Sequence, residues 1–499
     1  MEIKLAGFNV DVEILKEVKN LLSKFSESLS EDEREKIKTI TEFTPETISA
    51  AYARISRAPE VIWELRKIAR NEVERARKSN EKIVFGLGHS SIAEHAVFNI
   101  DFVNISRLAV EFLEHFRLAS FTEKSQRYVK FEDDFLLPTE FLGTIFEEDY
   151  YKLMRYLFSK YEGYYEEISR RYQDEGMKKK EADLKAKEDA RYILPLSTFT
   201  QVGTTFNART LERVIQKAKA HPLMEVREMG EKLERETSSI TPSLIKYTKP
   251  EGFHLFTEKL LDEVVSDVFK DRDFATDKGV GDLVELIGYE EYADEKILAL
   301  ILFKRKRVSF EIALKLAKEM EERDKKRIFY TIFENLESYH SLLREFEGVD
   351  FEFILTVSAS CFAQLKRHRM ASLIQSPYNP NLGVVVPPIF KKFNLEGDFL
   401  KTVERINEFY EKISKGMGVA SQYVLTNAHK KRVYIKMNLR ELYHFMRLRE
   451  DIHAQWEIRN IAKNIREIIL KKSKYASLLL CGKDKFEEVK RGVLKKLMN

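Results

Sequence analysis

Arg367-His368-Arg369, followed by Ser372, sets three cationic or polar side chains next to one another just after an apolar stretch. Such a run is either a basic surface turn or a place where an anion is held. An altered copy occurs earlier as His115-Phe116-Arg117-Leu118-Ala119-Ser120, and it continues into Ser125-Gln126-Arg127-Tyr128. Read as one motif, Arg-His-Arg-x-x-Ser followed by Ser-x-Arg-Tyr, the first half of the chain keeps the end and the second half keeps the beginning. Each copy lacks what the other retains. A duplicated enzyme whose halves have divided one active site would leave this pattern.

Other residues extend the set. Ser125 and Arg127 offer a hydroxyl and a guanidinium fork, the equipment for one phosphate, or else a solvent-facing serine and a surface ion pair. Asn438 is placed to open a long helix running to about Lys471, with Glu441 helping to cap it. Leu442, Phe445, Leu448, Ile452 and Trp456 form its apolar stripe, and Arg449 and His453 fall one turn apart beside it. The two cysteines, Cys361 and Cys481, have apolar neighbours and can build neither a disulfide framework nor a cysteine metal site, so no metal is expected. Cys361 reads as a small buried hydrophobe.

The elements that must position these residues repeat once. Ile3 to Phe8 resembles Val284 to Tyr289, and His89-Ser90 with Glu94 resembles His340-Ser341 with Glu345. Ser120 matches Ser372, and Asn207-Ala-Arg209-Thr-Leu211 matches Asn438-Leu-Arg440-Glu-Leu442. The order of these anchors is the same in both halves. Phe98, Ile100 and Phe102 alternate with polar residues as in a half-buried strand, and so do Val349, Phe351, Phe353 and Leu355. Capping-box spacing in Ser91-Ile-Ala-Glu94 places a helix start near Ser91. Residues 150–188 read as a solvated, charged helical hairpin, about 21 residues longer than the second-half counterpart. Lys304–Arg307 reads as the exposed end of an element. The expected division is 1–250, a connection at 251–282, and 283–499.

With 499 residues and 43% hydrophobic content the chain can fill two cores. A net charge of +4 is small for this length and argues against a broad nucleic-acid footprint. No apolar run is long enough for a membrane span and Met1–Lys4 lacks a signal-peptide pattern, so a soluble, cytoplasmic protein is expected.

Taken together, these residues resemble the flavin-dependent thymidylate synthases, whose signature is the Arg-His-Arg-x-x-Ser motif with Ser-x-Arg-Tyr. Further matches are Gly88-His89-Ser-Ser-Ile-Ala-Glu94-His95, Glu188-Asp-Ala-Arg191-Tyr-Ile-Leu-Pro195, and Leu448-Arg449-Glu-Asp-Ile-His453-Ala-Gln-Trp-Glu457-Ile-Arg459. The resemblance implies an α+β fold: two tandem copies of that family's fold, each a small antiparallel sheet flanked by helices. It also implies a methyltransferase that reductively methylates dUMP to dTMP. Methylenetetrahydrofolate would supply the carbon, FAD the hydride, and NADPH the reducing power. No protein nucleophile is needed. A homodimer mimicking the family homotetramer is expected.

Carried over residue by residue, the resemblance gives dUMP contacts at Gln364, Arg367, Ser125, Arg127, Arg191 and Arg449. Arg449 and Arg367 are the catalytic candidates. It gives FAD contacts at His89, Ser91, Glu123, Arg367, His368, Arg369, Asn207, Arg209, Asn438, Arg440, His444 and His453. His89 and Ser91 read equally as a satisfied histidine and a helix cap, and Asn207, Arg209, Asn438 and Arg440 as helix-start residues. The second half has Ser376-Pro377-Tyr378 without the arginine and Gln422 for Arg191. The first half has Phe112 for Gln364, His115-Phe116 for Arg-His, and Lys217 and His221 opposite Arg449 and His453 after a one-residue shift. A composite site drawing on both halves follows. The competing readings are a degenerate flavin- or nucleotide-binding relative without turnover, and a flavin enzyme acting on another uridine substrate, including one in RNA.

Overall fold

The computed structural model describes residues 1–23, 44–55, 58–270 and 282–499. Among them are two four-stranded antiparallel sheets of matching topology. The first contains β1 (Glu2–Phe8), β2 (Val97–Ser106), β3 (Ala119–Glu123) and β4 (Phe199–Asn207), in the order β1-β2-β4-β3. The second contains β5 (Val284–Tyr289), β6 (Asp350–Ser358), β7 (Ser372–Gln375) and β8 (Lys430–Asn438), in the order β5-β6-β8-β7. The period-two patterns become their central strands. Phe98, Ile100 and Phe102 are fully buried on β2, and Phe351, Phe353 and Leu355 on β6. Their register shifts before Gly7 in β1 and before Gly288 in β5, so the glycine anchors mark the same irregularity twice. A Cβ on Gly288 would come within 3.2 Å of Glu352, which leaves that site little room for a side chain.

Each central strand runs directly into a capped helix. Ser106 Oγ accepts from Ala109 N at the start of helix Arg107–Leu113, and Ser358 Oγ accepts from Cys361 N at the start of Ala359–Leu365. Asn207 caps helix Ala208–Lys219 and Asn438 caps Leu439–Arg449 in the same way. The equivalent motif copies, 115–120 and 367–372, lie in the turns after the serine-capped helices and lead into β3 and β7.

The chain divides into two compact units. The first comprises Met1–Lys160, Pro195–Asp273 and Glu408–Val424. The second comprises Tyr161–Leu194, Phe274–Asn407 and Leu425–Asn499. Each unit thus includes a segment from the opposite copy. The second unit's core joins the inner face of its sheet to Leu442, Phe445 and Met446 and to Ile458, Ile461 and Ile465. By the ~25 cal/mol per Å² of apolar burial, each such side chain stabilises the fold by roughly 1.5–3 kcal/mol.

Several expectations change. Residues 150–188 are helical, as Glu147–Asp174 and Lys179–Ala190, but the hairpin is not merely solvated. Tyr164, Ile168, Ala182 and Ala186 are buried, and Tyr164 Oη donates to Asp398 at 2.7 Å within the second unit. The helix near Ser91 is a short 3₁₀ turn, Ser90–His95, without a side-chain cap; Glu94 pairs with Arg209 instead. The long helix from Asn438 is two helices, Leu439–Arg449 and Trp456–Leu470. Gln455 ends the first pattern by capping the second, its Oε1 accepting from Glu457 N and Ile458 N. Leu448 and Ile452 are therefore exposed, and Arg449 and His453 do not share a helix face. In the expected connection, Gly252–Val268 is a helix with no buried residue, and 271–281 lie outside the described residues. Lys304 to Lys306 close helix Ala293–Lys306, as expected of an element's end.

Candidate functional site

In the second unit, helix Ala359–Leu365 carries Gln364 in its last turn, and the chain then turns through Arg367-His368-Arg369. His368 is buried, its ring edge-on to Phe445. Its Nδ1 lies 3.0 Å from Glu441 Oε1, and Arg449 Nε donates to its Nε2 at 2.9 Å. An arginine N–H can only donate, so Nε2 must carry the lone pair and Nδ1 the proton. Burial and the Arg449 charge push the imidazole below its ordinary value, against Glu441, which pulls it up. His368 is thus a neutral ring with a fixed tautomer. Arg449 Nη2 also donates to the Gln364 carbonyl at 3.0 Å, so its guanidinium is held at two points. The expectation that Glu441 serves the helix start is replaced here. Its backbone N–H takes the Asn438 cap, but its carboxylate takes His368.

Arg191, from the first copy, belongs to this same unit. It is buried, its Nε donates to Glu188 O at 3.1 Å, and its carbonyl accepts from Asn427 Nδ2 at 2.8 Å. The next residue anchors it. Tyr192 Oη donates to Glu457 Oε2 at 2.6 Å, accepts from Gln455 Nε2 at 2.8 Å, and its ring stacks on Trp456. Glu457 further accepts from Ser358 N at 3.0 Å and Ser358 Oγ at 2.6 Å. Burial raises the Glu457 carboxyl, and the bonds from Ser358 and Tyr192 pull it back. Both Arg191 and Arg449 act on the buried Cys361 thiol, which burial pushes well above its ordinary value. Arg191, Gln364, Arg367, His368 and Arg449 are therefore placed in one unit around one short helix.

Next to this cluster a cleft of about 380 Å³ is lined by His340, Ser341, Met370, Asn438, Arg440, His444, Arg447 and Lys483, among others. That volume lies in the range of ligand pockets. Arg440 is tied to Leu342 O and Glu347, while the buried Nε and Nη2 of Arg447 and the buried Nε2 of Gln364 meet no hydrogen-bond partner among the described residues. Buried donors left in this state are costly unless a ligand accepts from them. A polar, anionic, ring-bearing group such as a flavin dinucleotide suits this donor set. Arg369 is exposed, and His453 is exposed in the turn before Trp456.

The first unit holds the remaining candidates. Ser125 and Arg127 follow β3, with Arg127 N donating to Ser125 Oγ at 3.2 Å. Glu123 is ion-paired with Arg107, Arg209 with Glu94, and both His89, just before the 3₁₀ turn, and Ser91, within it, are exposed. Where the second unit has its polar cluster, the first has rings: Phe112 packs against Phe116 and His221. Burial lowers His221 to about 4 and also lowers His115, near Lys217 and Arg117. Gln422, the counterpart of Arg191, is buried here, followed by Tyr423, whose Oη donates to Glu225 Oε2 at 2.8 Å. Glu225 accepts from Ser106 N and Oγ, repeating the Ser358–Glu457–Tyr192 arrangement. Sequence reasoning missed this Ser–Glu–Tyr set. Its signal was available, since Ser106 and Ser358, Tyr192 and Tyr423, and Glu225 and Glu457 recur in the same order. The ladder also revises the broken loop. Ser376 N donates to Arg432 O as Lys124 N does to Gln201 O, so Pro377, without a hydroxyl, stands where Ser125 does.

The chain is 27% identical to the UPF0159 protein Ta1429 of Thermoplasma acidophilum over 83% of this chain and 90% of that one. It is 31% identical to the flavin-dependent thymidylate synthase of Clostridium tetani over 42% of this chain and 86% of that one. A flavin-dependent thymidylate synthase structure from Helicobacter pylori aligns over 50% of this chain and 100% of that one, at 16% identity and a TM-score of 0.31. The profile of the family described as thymidylate synthase complementing protein matches twice, at residues 39–243 and 285–473. With its repeated sheets and its two matched segments, the chain belongs to that family, the flavin-dependent thymidylate synthases, as two tandem copies.

Proposed function

We propose that this chain methylates dUMP reductively to dTMP, with methylenetetrahydrofolate as carbon donor and NADPH as reductant. The observation that carries the reading is that Arg191 of the first copy lies in one compact unit with Gln364, Arg367 and Arg449 of the second. Guanidinium groups suit a phosphate dianion, and Gln364 Nε2, a donor without a partner, suits a pyrimidine carbonyl. Arg449, pinned by His368 and the Gln364 carbonyl, is preorganised to stabilise negative charge developing on that ring. Arg367 binds the nucleotide beside it. FAD would be held by Asn438, Arg440, His444 and the exposed Arg369, with His368 behind them committed to Glu441 and Arg449, and when bound it supplies hydride. Ser125 and Arg127, which the resemblance implies as phosphate contacts, belong to the first unit. Cys361 takes no part: a thiol raised by burial is a poor nucleophile.

The test is tritium release from C5 of labelled dUMP, with folate donor and NADPH present. Release dependent on all three supports the reading. Flavin-bound protein that binds dUMP without release rejects it in favour of a relative lacking turnover, and release from another uridine compound alone points to a different substrate.

A further inference from the structure

The geometry points to Glu441 as a positioning residue that holds the catalytic guanidinium of Arg449 through the imidazole of His368. The inference rests on the proposed nucleotide site and adds a residue to it. The three groups form one line: Glu441 Oε1 to His368 Nδ1 at 3.0 Å, then His368 Nε2 to Arg449 Nε at 2.9 Å. Glu441 and His368 are both buried, so water does not readily substitute for either contact. An imidazole accepts at Nε2 only while its proton sits on Nδ1, and the carboxylate facing Nδ1 fixes it there. Without that acceptor the ring can place its proton on Nε2. It would then present a donor to a donor, and Arg449 would lose the acceptor that its Nε now meets.

The first copy supplies an independent argument. Following the anchors, Phe116 stands for His368 and Thr210 for Glu441, and no arginine stands for Arg449. A carboxylate serving only as a helix-start charge would have no reason to disappear with the other two. All three members are absent together, as expected of parts that work only as a set.

The ionisable groups facing His368 are Glu441, Arg449 and, at 5.9 Å between ring centroids, His444. Protonating His368 fills Nε2 and breaks the Arg449 contact. The line therefore holds above the imidazole's depressed value and fails below it.

The test uses the full chain. In ¹⁵N spectra of histidine-labelled protein, His368 Nε2 is expected as an unprotonated acceptor and Nδ1 as protonated from pH 6 to 8. A protonated Nε2 overturns the proposal with no variant needed. Glu441→Ala is expected to shift the tautomer and to lower kcat at least tenfold. Glu441→Gln, whose amide oxygen still accepts from Nδ1, keeps the tautomer and stays within about threefold of wild type. Turnover in Glu441→Ala equal to wild type, or an alanine and a glutamine variant impaired alike, overturns it. dUMP titration by calorimetry reads the nucleotide site separately: no dUMP binding by wild type refutes the proposed function, whereas the tautomer assignment stands or falls by itself.

Discussion

Replacing Tyr192 by Phe removes one hydroxyl that serves two partners. It donates to the buried Glu457 carboxylate at 2.6 Å and accepts from Gln455 Nε2 at 2.8 Å. A bond to a charged group contributes roughly 1.5–3 kcal/mol and a neutral one roughly 0.5–1.5 kcal/mol, so a loss of about 2–4 kcal/mol is expected. Tyr423→Phe removes only the bond to Glu225 at 2.8 Å, for a loss of about 1.5–3 kcal/mol. The ring stacking on Trp456 survives in Phe, so the difference isolates the hydroxyl. The chain has two tryptophans, and in a Trp63→Phe background Trp456 alone reports on the second unit during urea unfolding. Tyr192→Phe is expected to move that transition, and Tyr423→Phe to leave it in place. Function follows the same asymmetry. Tyr192 adjoins Arg191, so its loss should weaken dUMP binding about tenfold in calorimetry, while Tyr423→Phe, adjoining Gln422, should change it less than twofold. If Tyr192→Phe binds dUMP as wild type does, or Tyr423→Phe weakens it equally, the anchoring argument is wrong.

Arg191→Ala removes the proposed charged phosphate contact and is expected to weaken dUMP binding roughly 10- to 100-fold, against less than twofold for Gln422→Ala, both measured by calorimetry. The same titration should saturate at one dUMP per chain, and a stoichiometry of two would show that the first unit's aromatic cluster is no obstacle. Asp189 is raised to about 7 by burial, opposed by the Trp456 hydrogen bond. The native state then binds more protons than the unfolded one between about pH 4 and pH 7, so stability falls as pH rises through that window, by up to ~4 kcal/mol. Asp189→Asn, which keeps an acceptor for Trp456, should flatten that slope in urea unfolding at pH 5 and pH 8; a variant curve parallel to wild type contradicts it. Cys361→Ala should keep turnover within about threefold, and iodoacetamide at pH 8 should leave Cys361 unlabelled by mass spectrometry; inactivation would indicate a thiolate role.

The strands were legible because their signal is local. Alternation through Phe98–Phe102 and Phe351–Leu355 needs no distant partner to be read, and the repeated glycine, serine and asparagine anchors fell at matching places in the two sheets. The break after Arg449 was hidden. Apolar residues continue at helical spacing through Leu448 and Ile452, and Gln455 is not among the residues that commonly cap helices. Ile452 is exposed because the chain leaves the helix before reaching it. Glu441 misled for a related reason. Its position in the first turn explains a carboxylate locally, so nothing in the sequence called for the buried imidazole that takes it. The exchange of 161–194 and 408–424 has no local signature, because what holds Tyr192 is a glutamate far along the chain.

That exchange changes what the complementary losses mean. Counted along the sequence, each copy is damaged: the first lacks the counterparts of Gln364, Arg367 and His368, and the second those of Ser125, Arg127 and Arg191. Counted by compact unit, the replacements Phe112, His115, Phe116 and Gln422 all fall in the first unit, and the intact Gln364, Arg367, His368, Arg449 and Arg191 all fall in the second. Losing two guanidinium contacts at roughly 1.5–3 kcal/mol each weakens an anion site by two to four orders of magnitude. Once the first unit had lost one such contact, the rest could drift to apolar residues, because phenylalanine rings pack where partnerless polar groups would be penalised. Because each unit takes a segment from the other copy, the changes at Phe112, His115, Phe116 and Gln422 appear in both halves of the sequence although they fall in one unit, whereas Pro377, in place of Ser125, is a loss in the second unit.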